Sequence, residues 1–148
     1  MGVAGESTGK GGLVIDLANN SNQFASLAKD TISIYPCGLS SVPRKSIADE
    51  NPVPFPGRNL STDPIGSIII IQVPFAQSTS WQPGNVLLSE KNLNSIISIA
   101  QPVNRLDDNI RVYAAGKPLK SNTTYSVTVD GLLNGVAYKR GCDFSTGI

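Results

Sequence analysis

The chain has 148 residues, a formal net charge of +1, two cysteines and no histidine. Only 16% of its residues are charged, against about 25% in typical globular proteins. Its Lys and Arg residues are scattered with no cluster of more than two, which argues against binding to nucleic acid or to an anionic membrane. Without histidine there is no Ser-His or Cys-His nucleophile pair, and the commonest neutral metal ligand is missing.

One domain is the default for this length, and no run approaches the 18 or so apolar residues of a membrane span. We expect residues 1–30 to be a flexible lead-in or the tail of a preceding region, and residues 31–148 to form the domain. The segment that starts at Met1 lacks the basic start and apolar middle of a signal peptide. If the protein is exported, Met1 is therefore not the natural start of the precursor.

Short apolar runs separated by turn signals predict strands along most of the chain. The run GSIIIIQV is bounded by prolines and is typical of a central strand that is buried on both faces. The proline-rich stretch at 51–57 predicts an extended surface crossover, or alternatively a ligand for a proline-binding module. The strand candidates before the final hairpin are Thr31–Tyr35, Gly66–Val73, Val86–Leu88, Ile96–Ala100 and Ile110–Ala114.

The segment Asn122–Gly147 contains the clearest local signal. Tyr125, Val127 and Val129 alternate with polar residues, which is the period of a strand buried on one face. Asn134-Gly135 favours a type I′ turn, and a return strand follows from Val136 to Phe144. The chain is thus predicted to be an all-β, Ig-like or fibronectin-III-like sandwich of about seven antiparallel strands.

Candidate functional residues are few. Trp81 is interpreted as a core residue, with the alternative that it stacks on a sugar ring together with Tyr113 and Tyr138. Tyr125, with Leu119 upstream, fits a tyrosine corner, in which the phenol oxygen bonds to an upstream backbone group. Asp107-Asp108-Asn109 is interpreted as a solvated turn, because the glycine and alternation of a calcium loop are missing.

The acidic residues show no recognisable catalytic arrangement. We expect no enzymatic activity and no cofactor, and the rival hypothesis is a glycosidase that uses two carboxylates. The chain has only two cysteines and no Cys-x-x-Cys motif, which also argues against a zinc site.

Three segments in order, IYPCGLSSVPR…ENPVP, GSIIIIQV and KPLKSNTTYSVTVDGLLNGVAYKRGCDFSTG, together resemble the Ig-like module that follows a CAP/SCP domain in bacterial exported proteins. The resemblance implies a secreted, periplasmic or cell-surface module without catalysis, acting as a spacer or an adhesive surface. A preceding CAP/SCP domain or a cell-surface polymer would be its partner. The alternatives are a carbohydrate-binding module and assembly of identical copies through edge strands.

Such modules often carry tryptophan two residues before the Phe of the last strand, and here that position is Cys142. Because the first and last strands of Ig-like sandwiches often lie side by side, we predict a disulfide between Cys37 and Cys142. Two buried free thiols are the alternative. The disulfide requires the two Cα atoms to lie within about 7 Å of each other.

Overall fold

The computed structural model describes residues 32–46, 55, 57–74, 80–100 and 108–148. Within these ranges the secondary structure consists of β-strands, with no helix. The strands are β1 (Ser33–Tyr35), β2 (Ile68–Gln72), β3 (Trp81–Glu90), β4 (Ser95–Ile97), β5 (Ile99–Ala100), β6 (Ile110–Ala115), β7 (Thr124–Leu133) and β8 (Val136–Ser145). No helix in the described ranges is long and apolar enough to cross a membrane.

The strands form two antiparallel sheets of four, in the orders β1-β2-β6-β5 and β4-β3-β7-β8. This is the strand order of Ig-type domains, with one extra strand at the edge of the second sheet. The predicted all-β sandwich is therefore confirmed. The described residues contain eight strands, because the expected strand Ile96–Ala100 is divided at Ser98 and its two parts belong to different sheets.

The final hairpin forms in the predicted register. Asn134 and Gly135 both have positive φ, 53° and 74°, as a type I′ turn requires. Leu133 pairs with Val136, and the ladder continues without a shift to Thr124 and Ser145. One face of β7 points into the core, so the two-residue period of the sequence matches the burial of the strand.

Strand β2 is central in the first sheet, as expected. Ile69 and Ile71 face the core between the sheets and are 0% and 1% exposed. On the opposite face, Ile68 packs against a smaller apolar cluster of Phe55, Leu60, Ile65 and Ala114. Ile68 and Ile70 are nevertheless only half-buried, so the prediction of a strand buried on both faces is correct for the inward face alone.

The predicted strand Val86–Leu88 is shorter than the observed strand β3, which extends from Trp81 to Glu90. Instead of a turn, Gly84-Asn85 forms a bulge, marked by a register shift between Pro83 and Val86. The Asp130 carboxylate accepts a hydrogen bond from the Asn85 backbone N–H at 2.7 Å. Opposite the bulge, Gly131 has a φ of 155°, and a Cβ atom there would collide with the Gln82 carbonyl oxygen.

The turn at Asp108-Asn109 is also anchored more firmly than the sequence suggested. Asn109 is 5% exposed, not solvated. Its backbone carbonyl accepts from the Val73 N–H at 3.0 Å, and its side-chain amide donates to the Val73 carbonyl at 3.1 Å. Asp107 lies outside the described residues, as do Thr31, the region 1–30 and most of the proline-rich stretch.

After β1 the chain leaves the first sheet and runs along the edge of the second, beside β8. The Gly38 N–H donates to the Asp143 carbonyl at 2.8 Å, and Val42 forms a parallel bridge with Thr146. A disulfide joins Cys37 to Cys142, with a Cα–Cα distance of 5.4 Å. We call this side of the sandwich, formed by residues 37–42 and β8, the closed seam.

We predict that the variant Cys37→Ser/Cys142→Ser folds but loses much of its stability. The disulfide closes a loop with a sequence separation of 105 residues. In the chain-entropy model such a crosslink contributes on the order of 4–5 kcal/mol, and measured gains are often smaller. Urea unfolding of the variant, beside the wild type with and without reductant, measures the loss. A midpoint equal to that of the oxidised wild type would contradict the prediction.

Candidate functional site

Trp81 is a core residue rather than an exposed stacking platform. Its side chain is 5% exposed at the start of β3. The indole Nε1 donates to the Tyr138 hydroxyl at 2.9 Å, and the Arg111 guanidinium lies 5.1 Å from the ring centroid. Tyr113 is likewise buried, at 7% exposure. These side chains therefore leave no aromatic plane open for a sugar ring.

Tyr138 lies at the rim of this aromatic cluster and is half-buried. Burial raises the pKa of its phenol, and the hydrogen bond from Trp81 opposes the shift. The phenol therefore stays protonated at neutral pH. Its oxygen serves as a hydrogen-bond acceptor for the indole, which satisfies the one polar atom of the buried Trp81.

The predicted tyrosine-corner residues have the geometry expected of that motif. The Lys120 backbone N–H donates to the Tyr125 hydroxyl oxygen at 2.9 Å. Tyr125 and Leu119 are 1% and 4% exposed, and the Tyr125 ring stacks on Phe144 with centroids 5.6 Å apart. The hydroxyl thus fixes the segment that connects β6 to β7 against the start of β7.

A buried carboxylate that the sequence analysis missed lies beside this corner. Glu90 pairs with Tyr125 across β3 and β7 and is only 8% exposed. Its Oε2 accepts from the Lys120 Nζ at 2.7 Å, and this bond raises the pKa of the Lys120 ammonium group. The alternation Val86, Leu88, Glu90 could have placed this carboxylate on the inward face of β3.

Asp143 is a second carboxylate with hydrogen-bond donors around it. Asp143 accepts from the Lys91 ammonium group and from the Ser126 hydroxyl, the latter at 2.6 Å. These two bonds lower the pKa of Asp143. Among the described residues, no group of three or more His, Cys, Asp or Glu side chains could hold a metal ion.

Two depressions lie at the end of the sandwich that carries the tyrosine corner. The first, which we call the seam cleft, has a volume of about 320 Å³. It opens beside β4, at the edge of the second sheet opposite the closed seam. The second, the basic groove, has a volume of about 590 Å³. The seam cleft is lined by Glu90, Ile96, Ile97, Ser98, Gly116, Lys117, Pro118, Leu119, Lys120 and Tyr125. The basic groove is lined by Pro43, Arg44, Lys45, Pro64, Pro118 and Ile148.

No protein-family model and no curated protein matches this chain. The resemblance to the module that follows CAP/SCP domains therefore stays a prediction, which rests on the three sequence segments named above.

We expect Tyr125→Phe to lower the free energy of unfolding by about 1–2 kcal/mol, because it removes the acceptor of the Lys120 N–H while leaving the ring in place. Tyr35→Phe is the matched control, since Tyr35 is 38% exposed. Urea unfolding of both variants measures the difference. Equal midpoints for the two variants would argue against a stabilising role of the corner hydroxyl.

The Asp143 carboxylate should contribute stability that depends on pH. Because its pKa is lower in the folded state, the contribution is present above the ordinary aspartate pKa and is lost as the pH falls through the folded value. Asp143→Asn should therefore unfold more easily than the wild type at neutral pH, and the difference should vanish in acid. Thermal unfolding between pH 2 and pH 7 tests this. Lys91→Gln should show the same trend, whereas a constant difference at every pH would contradict it.

Proposed function

We propose that this domain is a non-catalytic, extracytoplasmic structural or interaction module of a multidomain bacterial protein, acting as a spacer or an adhesive surface. The observation that carries the proposal is the closed seam, where the Cys37–Cys142 disulfide joins the end of β1 to β8. Disulfides persist in oxidising compartments and are rare in the cytosol, so the pairing supports export. The sequence resemblance adds a CAP/SCP domain as the neighbour in the same protein.

The aromatic residues support this role over carbohydrate binding. Sugar-binding surfaces need aromatic rings in one exposed plane or groove, whereas a spacer buries its rings. Of the aromatic side chains that the structure describes, Phe55, Trp81, Tyr113, Tyr125 and Phe144 are buried, and Tyr35 is the most exposed. The carboxylates described above are held by local donors, which supports a structural role for them rather than glycosidase chemistry.

Thiol labelling of the protein in its native host tests the proposed location. Cells are quenched in acid, and the protein is then denatured and treated with a maleimide reagent without reductant. The proposal predicts no added mass at Cys37 or Cys142, and two additions after reduction. Two additions without reductant would show free thiols in the cell and would contradict an oxidising compartment.

A glycan array with the purified chain, run beside Tyr35→Ala, tests the choice between spacer and lectin. Tyr35 is the appropriate residue to replace. Truncating the buried Trp81 to alanine would lower the free energy of unfolding by about 3–5 kcal/mol. We expect no glycan signal from either protein. A signal that Tyr35→Ala abolishes would favour a carbohydrate-binding module instead.

A further inference from the structure

The fold collects cationic side chains that are scattered in the sequence. The Leu119 N–H donates to the Arg44 carbonyl at 2.9 Å, and Lys45 forms an antiparallel bridge with Gly66. Gly66 in turn packs against the Lys117 carbonyl so closely that a Cβ atom would not fit. Arg44 and Lys45 are therefore brought to the basic groove, and Lys117 to the adjoining seam cleft, at one end of the sandwich.

These three cations have no carboxylate partner within the described ranges, where the ion pairs join Arg58 to Asp63, Lys91 to Asp143 and Lys120 to Glu90. All three side chains are exposed. Unpaired charges gathered from separate segments attract an anionic partner more strongly than the same charges dispersed over the surface.

The surroundings of the cations are aliphatic. The basic groove is lined by Pro43, Pro64 and Pro118. Because Pro118 also lines the seam cleft, the two depressions are neighbours. The seam cleft is also lined by Ile96 and Ile97 of β4, the edge strand of its sheet, and Ile96 is 71% exposed. A ligand that spans both depressions would therefore meet positive charge first and aliphatic surface next.

We propose that the basic groove and the seam cleft together bind an acidic peptide segment that carries an aliphatic side chain. The carboxylates would pair with Arg44, Lys45 and Lys117, and the aliphatic side chain would lie in the seam cleft against Ile97 and Leu119. This assignment rests on the interaction role proposed above and specifies its partner.

The lining favours a peptide over a nucleic acid or a sugar polymer. Single-stranded nucleic acids and sugars gain affinity by stacking on aromatic rings. Among the described residues, Tyr125 is the one aromatic residue that lines either depression. Tyr125 is 1% exposed, so its ring offers no face on which a base or a sugar could stack. Proline rings and isoleucine side chains instead suit the aliphatic part of a peptide.

Fluorescence anisotropy with a labelled seven-residue peptide of Asp and Glu around a central leucine tests the site. The variant Arg44→Gln/Lys45→Gln removes two groove cations. Lys139→Gln/Arg140→Gln is its matched control, because it removes an exposed pair of the same residue types from β8. We expect the groove variant to weaken binding at least about fivefold and the control to change it less than about twofold.

The peptide itself supplies the second comparison. Replacing its central leucine by serine should weaken binding to the wild type at least about threefold, because the aliphatic contact is lost. No binding of the acidic peptide, or equal losses in the groove and control variants, would overturn the proposal. A single-stranded oligonucleotide or polyphosphate that binds more tightly than the peptide and depends on Arg44 and Lys45 would assign the groove to a polyanion and likewise overturn it. These outcomes are independent of thiol labelling in cells, so this proposal and the proposed location can fail separately.

Discussion

The crossing of the chain from one sheet to the other at the closed seam is the constraint on which this sandwich depends. Within each sheet, backbone hydrogen bonds join neighbouring strands, whereas the facing surfaces of the two sheets meet through side-chain packing. Residues 37–42 belong to the chain that leaves β1, yet their backbone groups bond to β8. The Cys37–Cys142 disulfide then fixes this arrangement covalently. The position of β8, and through its ladder that of β7, is thereby set relative to the first sheet.

The tyrosine corner links this framework to the surface that we assign to a partner. The Tyr125 hydroxyl and the Glu90 carboxylate both bind Lys120, one through its backbone and one through its ammonium group. The preceding residue, Leu119, bonds to the Arg44 carbonyl. The same short segment therefore joins the end of the core to the basic groove, so the backbone that carries the groove is tied to the sandwich by hydrogen bonds.

Local sequence signals predicted those elements whose structure depends on residues close to each other in the chain. The final hairpin could be read from alternation and from Asn134-Gly135, because both act within a few residues. The bulge in β3 could not, since Gly84-Asn85 has the composition of a turn. The hydrogen bond from Asn85 to Asp130 and the pairing of the flanking residues Pro83 and Val86 with β7 keep it within a strand. The basic groove was missed for the same reason. Scattered cations give no sequence cluster, and only the contacts among distant segments bring Arg44 and Lys117 together.

The disulfide also changes how the domain would respond to mechanical force. In a spacer, tension enters through the two ends of the chain. The crosslink spans a sequence separation of 105 residues, so that tension passes through the sulfur atoms and bypasses the enclosed polypeptide. At about 3.4 Å per extended residue, roughly 350 Å of chain is withheld from stretching. As long as the bond is intact, only the residues before Cys37 and after Cys142 can lengthen under such a pull, even if the sheets separate.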